Sequence, residues 1–216
     1  MSAAILANVF GDAWGQVDEL LEWLSDFSAN WYFLLIIFGI AFFDSVVPVV
    51  PSETMVIVGG IAAGQGDQFL PAVIACGAVG AFLGDNAAYL IGAKMSATIQ
   101  RFAAKKPKRQ ARLDWAAEQI RVRGGLLLIT ARFIPGGRTA LTISSGITHQ
   151  PRKWFIGWIG LAVCIWATYA ALLGYIGGAA FKDDHTKAFL VAFGAAIGVT
   201  IVIEVFRHFR ARSAHA

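Results

Sequence analysis

Hydrophobic positions in this chain fall in blocks of two lengths, and the difference predicts which segments cross a bilayer and which turn back. Between Trp14 and Phe27 they recur at helical spacing as Val17, Leu20, Leu21, Leu24 and Phe27, with acids on the other face. That pattern predicts an interfacial amphipathic helix over 12–28. Trp31 to Phe43 is continuously apolar, yet at ~1.5 Å per residue it rises only about 20 Å, short of the roughly 30 Å hydrocarbon core. Asp44, Pro48, Pro51, Ser52 and Glu53 follow, then a second short apolar run ending at Gly64-Gln65-Gly66. Broken backbone at membrane depth is tolerated only inside protein or beside a wet cavity, so 31–64 is expected to form a re-entrant hairpin.

The run 70–93 is long enough to span, and Gly80, Gly84, Ala88 and Gly92 recur along it at four-residue spacing. Such a stripe lets a second helix approach closely. A basic segment comes next, and over 108–123 a narrow apolar stripe of Leu113, Ala116, Ala117 and Ile120 predicts a second, cytoplasmic amphipathic helix. The residues 124–148 hold two short apolar runs around ARFIPGGR, which predicts a second hairpin entering from the opposite face. Spanning helices are expected over 154–176 and 188–206, joined by the polar turn Lys182 to His185. The order of elements therefore repeats. Even the letters agree weakly, Glu53-Thr54 with Gly60-Ile61 against Arg138-Thr139 with Gly146-Ile147. The expected fold is an all-α polytopic membrane protein, one membrane domain over 1–216. It is built as an inverted repeat of amphipathic helix, re-entrant hairpin and spanning helix, plus a C-terminal spanning helix.

Composition agrees with membrane residence: 57% of the 216 residues are hydrophobic and 15% charged, with a mean hydropathy of +0.62. No Lys or Arg precedes Lys94, whereas Lys94 to Arg123 is densely basic. Short basic segments stay cytoplasmic, so that stretch and the C-terminal Arg207, Arg210 and Arg212 are expected inside, and the acidic N-terminus outside. A nucleic-acid role for the basic stretch is disfavoured by its place between two apolar segments. The apolar start lacks preceding basic residues and does not read as a cleaved signal peptide. Cys76 and Cys164 sit among small apolar neighbours and read as packing residues, with no disulfide, metal or cofactor implied.

Asp44, Glu53, Arg132 and Arg138 stand inside the two broken segments, where a charge is costly and marks function. Two guanidiniums suit a phosphate, which offers several acceptor oxygens. Two permanent anions beside a phosphate would repel it, so the carboxylates need another role. Burial favours the neutral carboxyl and a nearby Arg the charged one, so Asp44 and Glu53 are expected to exchange protons as the site changes exposure. The competing reading pairs these acids with the arginines as a structural lock. Asp85 and Tyr89, one turn apart, either line the site or brace the hairpins. Glu204 beside Arg207 and His208 reads as an interfacial pair, and His149 as an interfacial histidine. The tryptophans, Trp14, Trp23, Trp31 and Trp154 among them, fit an aromatic belt.

Three stretches, FFDSVVPVVPSE (Phe42 to Glu53), GDNAAYLIG (Gly84 to Gly92) and ARFIPGGR (Ala131 to Arg138), resemble the motifs of the DedA family, also called the VTT or SNARE-associated domain. The resemblance runs from about residue 30 to 180. Asp44 stands where the family usually has Glu, Ala131 replaces a Gly, and the basic residue after the second motif is displaced to Lys94. The resemblance implies transport of a polyprenyl-phosphate carrier lipid such as undecaprenyl phosphate across the bacterial cytoplasmic membrane, with proton coupling. It places substrate binding on Arg132 and Arg138, and proton coupling on Asp44 and Glu53. Asp85, Tyr89, Pro48, Pro51 and Pro135 would support them. The expected partners are a lipid with a phosphate headgroup and protons. Alternatives are a phospholipid scramblase, since eukaryotic relatives scramble phospholipids, or a proton-coupled transporter of another small solute. A membrane lipid phosphatase lacks a nucleophile or metal set among these residues, and a passive scaffold would not need the arginines.

Overall fold

The computed structural model describes residues 27–47, 52–133, 136–181, 187, 191–195 and 198; Pro48, Pro51, Pro135, Glu204 and most of the predicted segments 12–28 and 188–206 lie outside them. All the regular elements described are helical. They are α1 (Tyr32–Val46), α2 (Ser52–Gln65), α3 (Leu70–Ala104), α4 (Pro107–Thr130), a single 3-10 turn (Ala131–Phe133), α5 (Gly137–Ile147) and α6 (Arg152–Ala180).

Local chemistry sets the boundaries. Val47 precedes Pro48, and a pre-proline residue is pushed out of the helical region, so α1 stops at Val46. Helix α2 begins with Ser52 and carries Glu53 in its first turn, where an acid suits the helix dipole. It ends at Gly66, whose φ of 102° only glycine adopts freely, with the Gly66 and Asp67 amides both donating to the Ala62 carbonyl at 3.1 and 2.9 Å. Pro107 opens α4 as its first-turn residue. Gly136, at φ 71°, takes the N-cap position of α5.

Helices α3 and α6, 35 and 29 residues long, are the two described helices long and apolar enough to cross a membrane. At ~1.5 Å per residue both exceed the roughly 30 Å core, and they extend the predicted spans 70–93 and 154–176. Helix α3 continues through Met95 to Ala104 because no glycine or proline interrupts it before Pro107. A larger difference lies in α4. The sequence predicts a surface helix over 108–123 and a separate hairpin arm from 124, whereas one continuous helix runs from Pro107 to Thr130. The Gly124-Gly125 pair does not break it, because both residues serve as a seat: a Cβ on Gly124 would press on the Trp154 ring and one on Gly125 would strike the Trp158 indole.

The residues fall into two compact units, Met1–Ile36 with Thr54–Val73 and Tyr169–Ala216, and Ile37–Glu53 with Ile74–Thr168. In the first, Gly60 and Gly64 of α2 lie against the Ala171 and Tyr175 carbonyls of α6, while Gly174 and Gly178 face Ile57 and Ile61. Any side chain at these crossings would meet backbone. Val56, Ile57, Ala170 and Ala171 are buried there, and Gln68 Nε2 donates to the Ser28 and Asn30 carbonyls at 2.9 Å each.

In the second unit, the predicted small-residue stripe is used in full. Gly80 and Gly84 of α3 admit the Phe38 and Phe42 carbonyls of α1, and Gly92 meets Ile143 of α5 where Gly146 meets Tyr89 in return. Ser96 Oγ donates to the Ile147 carbonyl at 2.7 Å beside that crossing. Phe155, Ile159, Ala162, Val163 and Trp166 of α6 are buried in this unit's core.

A buried charge cluster as candidate functional site

The site grows out of the Gly84 crossing. Because the Phe42 carbonyl rests on Gly84, the residues just beyond, Asp44 on α1 and Asp85 on α3, come to one level. Ser45 fastens the contact, donating through Oγ to the Ala41 carbonyl at 2.9 Å and the Ala81 carbonyl at 3.3 Å. The start of α5 joins them: Thr139 Oγ1 donates to the Ser45 carbonyl at 3.2 Å. That bond brings the neighbouring Arg138 to Asp44, and the 3-10 turn supplies Arg132.

Four charges meet. Arg138 Nη2 donates to Asp44 Oδ2 at 2.8 Å, and Arg132 Nη1 to Asp85 Oδ2 at 2.7 Å. Arg138 Nε stands 3.8 Å from Asp85 Oδ1, so Asp85 lies between the two guanidiniums. Ser52, first residue of α2, donates from Oγ to Asp44 Oδ2 at 2.5 Å. The starts of two helices, α2 and α5, thus converge on the Asp44–Arg138 pair, and helix N-termini favour anions.

Exposure is graded along the cluster. The Arg138 and Asp44 side chains are 11% and 15% exposed, whereas Arg132 and Asp85 are sealed at 1% and 0%. The Trp166 ring covers the Arg132 guanidinium, 5.5 Å from its centroid to Cζ. Arg132 Nε and Nη2 are buried and have no acceptor among the described residues. These two atoms form one edge of the guanidinium fork, which can grip two oxygens of one anion. A buried donor left unmet is costly, so an edge of this kind points to a ligand or to water.

The structure brings together three of the four charges expected to meet, and adds Asp85. Glu53, half-buried on the first turn of α2 and within electrostatic reach of Asp44, makes no hydrogen bond or ion pair with a described residue. Of the pairs in the competing lock reading, Asp44 with Arg138 is present, while the described acid on Arg132 is Asp85 and not Glu53. Tyr89 serves another junction. Its hydroxyl donates to the Gln150 carbonyl at 2.6 Å, its ring lies 4.5 Å from Phe155, and Arg152 Cζ sits 4.8 Å over its face. Asp85 and Tyr89, one turn apart, thus divide into a charge-cluster residue and a brace.

Trp166 and Ser52 were missed as site residues. Trp166 lies in the interior of α6 and not at its end, which was the available signal that it does not belong to an interfacial belt; Trp31, 72% exposed, fits the belt. A separate apolar cavity of about 280 Å³ between α4 and α5, lined by Trp115, Ile120, Leu127, Leu141 and others, holds no ionisable group. No group of three or more metal-ligating side chains occurs among the described residues.

Two helices long and apolar enough to cross a membrane, with a largely buried cluster of two arginines and two aspartates beside them, mark a membrane protein with a buried polar site. Comparison with known proteins carries this further: the VTT domain matches residues 50–176, and the chain belongs to the VTT-domain, or DedA, family. It is 31% identical to the inner membrane protein YohD of Escherichia coli K12, over 62% of this chain and 72% of the relative. It is 25% identical to protein DedA of the same organism over 77% of each. To undecaprenyl phosphate transporter A of Bacillus subtilis 168 it is 24% identical, over 92% of this chain and 96% of the relative. No solved structure matches the chain.

Proposed function

We propose that this protein moves a polyprenyl-phosphate carrier lipid, undecaprenyl phosphate or a close analogue, across the cytoplasmic membrane of a bacterium. The observation that carries the reading is the buried Arg132, held by Asp85 through one nitrogen and carrying a two-donor edge with no acceptor among the described residues. A phosphate monoester is the membrane anion best matched to that edge. Arg138, at the more exposed end of the cluster, would meet the headgroup first, and the lipid tail would stay in the bilayer. The name of the Bacillus relative supports the same ligand chemistry.

Asp44 and Glu53 are the groups we assign to proton movement. Asp44 shares Arg138 with the incoming headgroup, and a proton taken up there would release the guanidinium for phosphate. Glu53, next to Ser52 and free of an arginine, would relay that proton.

Alternating access requires two related halves. Its support lies in how the long helices choose partners. Helix α3 packs on α1, before the first break, through Gly80 and Gly84, and on α5, after the second break, through Gly92. Helix α6 does the converse, meeting α4 at Trp154 and Trp158 and α2 at Gly174 and Gly178. This reciprocity favours an inverted repeat with the broken segments as re-entrant hairpins. The basic stretch from Lys94 to Arg123 would face the cytoplasm and the N-terminus the outside.

The test is a headgroup-accessibility assay in liposomes, comparing undecaprenyl phosphate with ordinary phospholipids across a pH gradient. Selective, gradient-dependent movement lost in Arg138→Ala is the expected result. Equal movement of phospholipids would make the protein a scramblase, and inorganic phosphate released by the purified protein would make it a phosphatase.

A further inference from the structure

We propose that Asp85 is an affinity-setting and positioning residue: it aims the Arg132 fork at the phosphate headgroup while cancelling enough of its charge to let the headgroup leave. The inference rests on the reading of the cluster as a phosphate site and goes beyond it, because a family-level account of binding and proton movement needs only the other charged residues.

Three observations carry it. First, Asp85 is fully buried and holds Arg132 by Nη1 alone, at 2.7 Å, which leaves the opposite Nε–Nη2 edge open and fixes its direction. Trp166 restrains the same guanidinium through its face, so its plane and its rotation are both constrained. Second, the other carboxylate oxygen, Oδ1, faces Arg138 Nε at 3.8 Å, too far for a hydrogen bond but close enough to be felt electrostatically. One aspartate thus lowers the pull of both arginines. Third, the formal charges of Asp44, Asp85, Arg132 and Arg138 cancel, so the resting cluster is neutral.

A transport site must bind well enough to admit its ligand and weakly enough to release it. Two uncompensated arginines sealed from water would hold a phosphate too tightly. Asp85 is placed to prevent this without blocking the edge that does the gripping. Its carboxylate meets Arg132 at Nη1 and not at the Nε–Nη2 edge, so it acts through the arginines.

The test uses full-length protein and dodecyl phosphate as the binding probe, with headgroup movement measured separately in liposomes. Asp85→Asn keeps a carbonyl oxygen to accept from Arg132 Nη1 but removes the charge. It should bind dodecyl phosphate about tenfold or more tightly, lower the apparent KM for the lipid, and slow turnover. Asp85→Ala removes the anchor as well and should weaken binding. A brace with only a structural role predicts no gain in affinity for either variant. If Asp85→Asn fails to fold, Asp85→Gln, which also offers a neutral carbonyl acceptor, carries the same expected sign. Folded Asp85→Asn or Asp85→Gln binding no more tightly than the unaltered protein overturns the proposal. Failure of the unaltered protein to bind dodecyl phosphate, or full binding by Arg132→Lys, overturns the phosphate-site reading and this inference with it. Binding that is lost in Arg132→Lys yet unchanged in Asp85→Asn overturns this inference alone.

Discussion

Burying Arg132 beside Asp85 removes both charges from water, and one short hydrogen bond with an aromatic cover is a modest return for that cost. Buried ion pairs of this kind are often replaced by apolar residues without loss of stability, whereas removing one partner strands the other. Arg132→Met alone should therefore destabilise the protein by about 3–5 kcal/mol, read as a fall in melting temperature in detergent. The double variant Arg132→Met with Asp85→Leu should recover most of that loss and still transport nothing. A double variant that transports would show that the pair serves folding alone. The sequence told which residues carry charge inside the broken segments, and Asp44 with Arg138 meets that expectation. It did not tell which acid reaches Arg132. That choice depends on the α1–α3 register, set where the Phe42 carbonyl lands on Gly84, and no local pattern encodes it. Glu53 is next to Ser52 in sequence, yet it is Ser52 that turns to the cluster.

Glycines do two different jobs between elements, and the difference is measurable. At Gly146, an added Cβ would collide with the Tyr89 carbonyl and the Ala93 amide, backbone atoms fixed within α3. At Gly125 it would meet the indole of Trp158, a side chain that can turn. Gly146→Ala should cost about 1–3 kcal/mol, at the upper end of overpacking, while Gly125→Ala should cost less and move Trp158 fluorescence. Thermal unfolding in detergent checks the first, and emission spectra the second. Equal losses at both sites would mean that the α3–α5 crossing can open. This contrast also explains where elements were legible. The four-residue stripe from Gly80 to Gly92 was read as a close-packing face and is one, because its spacing alone defines a helix face. The change from a basic to an apolar stretch at Gly124 sets a segment boundary in the sequence, but α4 is continuous there, with Gly124 and Gly125 packed under Trp154 and Trp158.

Across the whole molecule, apolar length and charge bias carried the most information, since the bilayer fixes how long a crossing helix must be and where basic residues stay. Both long helices were visible that way, although their ends were not: α3 runs on to Ala104, with no proline or glycine before Pro107, and α6 runs on through Gly177 and Gly178 to Ala180. The same reasoning makes a topological prediction on which any transport role depends. Helix α3 runs from Leu70 to Ala104, so Asp67 just before it and Lys105 just after it, both exposed, are separated by about 50 Å of helix. By the positive-inside rule, Lys105 is expected in the cytoplasm and Asp67 outside. In a Cys76→Ala, Cys164→Ala background, a membrane-impermeant maleimide should label Asp67→Cys in intact cells and Lys105→Cys only in inverted vesicles. Labelling of both from one face would mean that α3 does not cross. The proposed transport would then lose its topological basis, because Asp67 and Lys105 would share one face of the membrane.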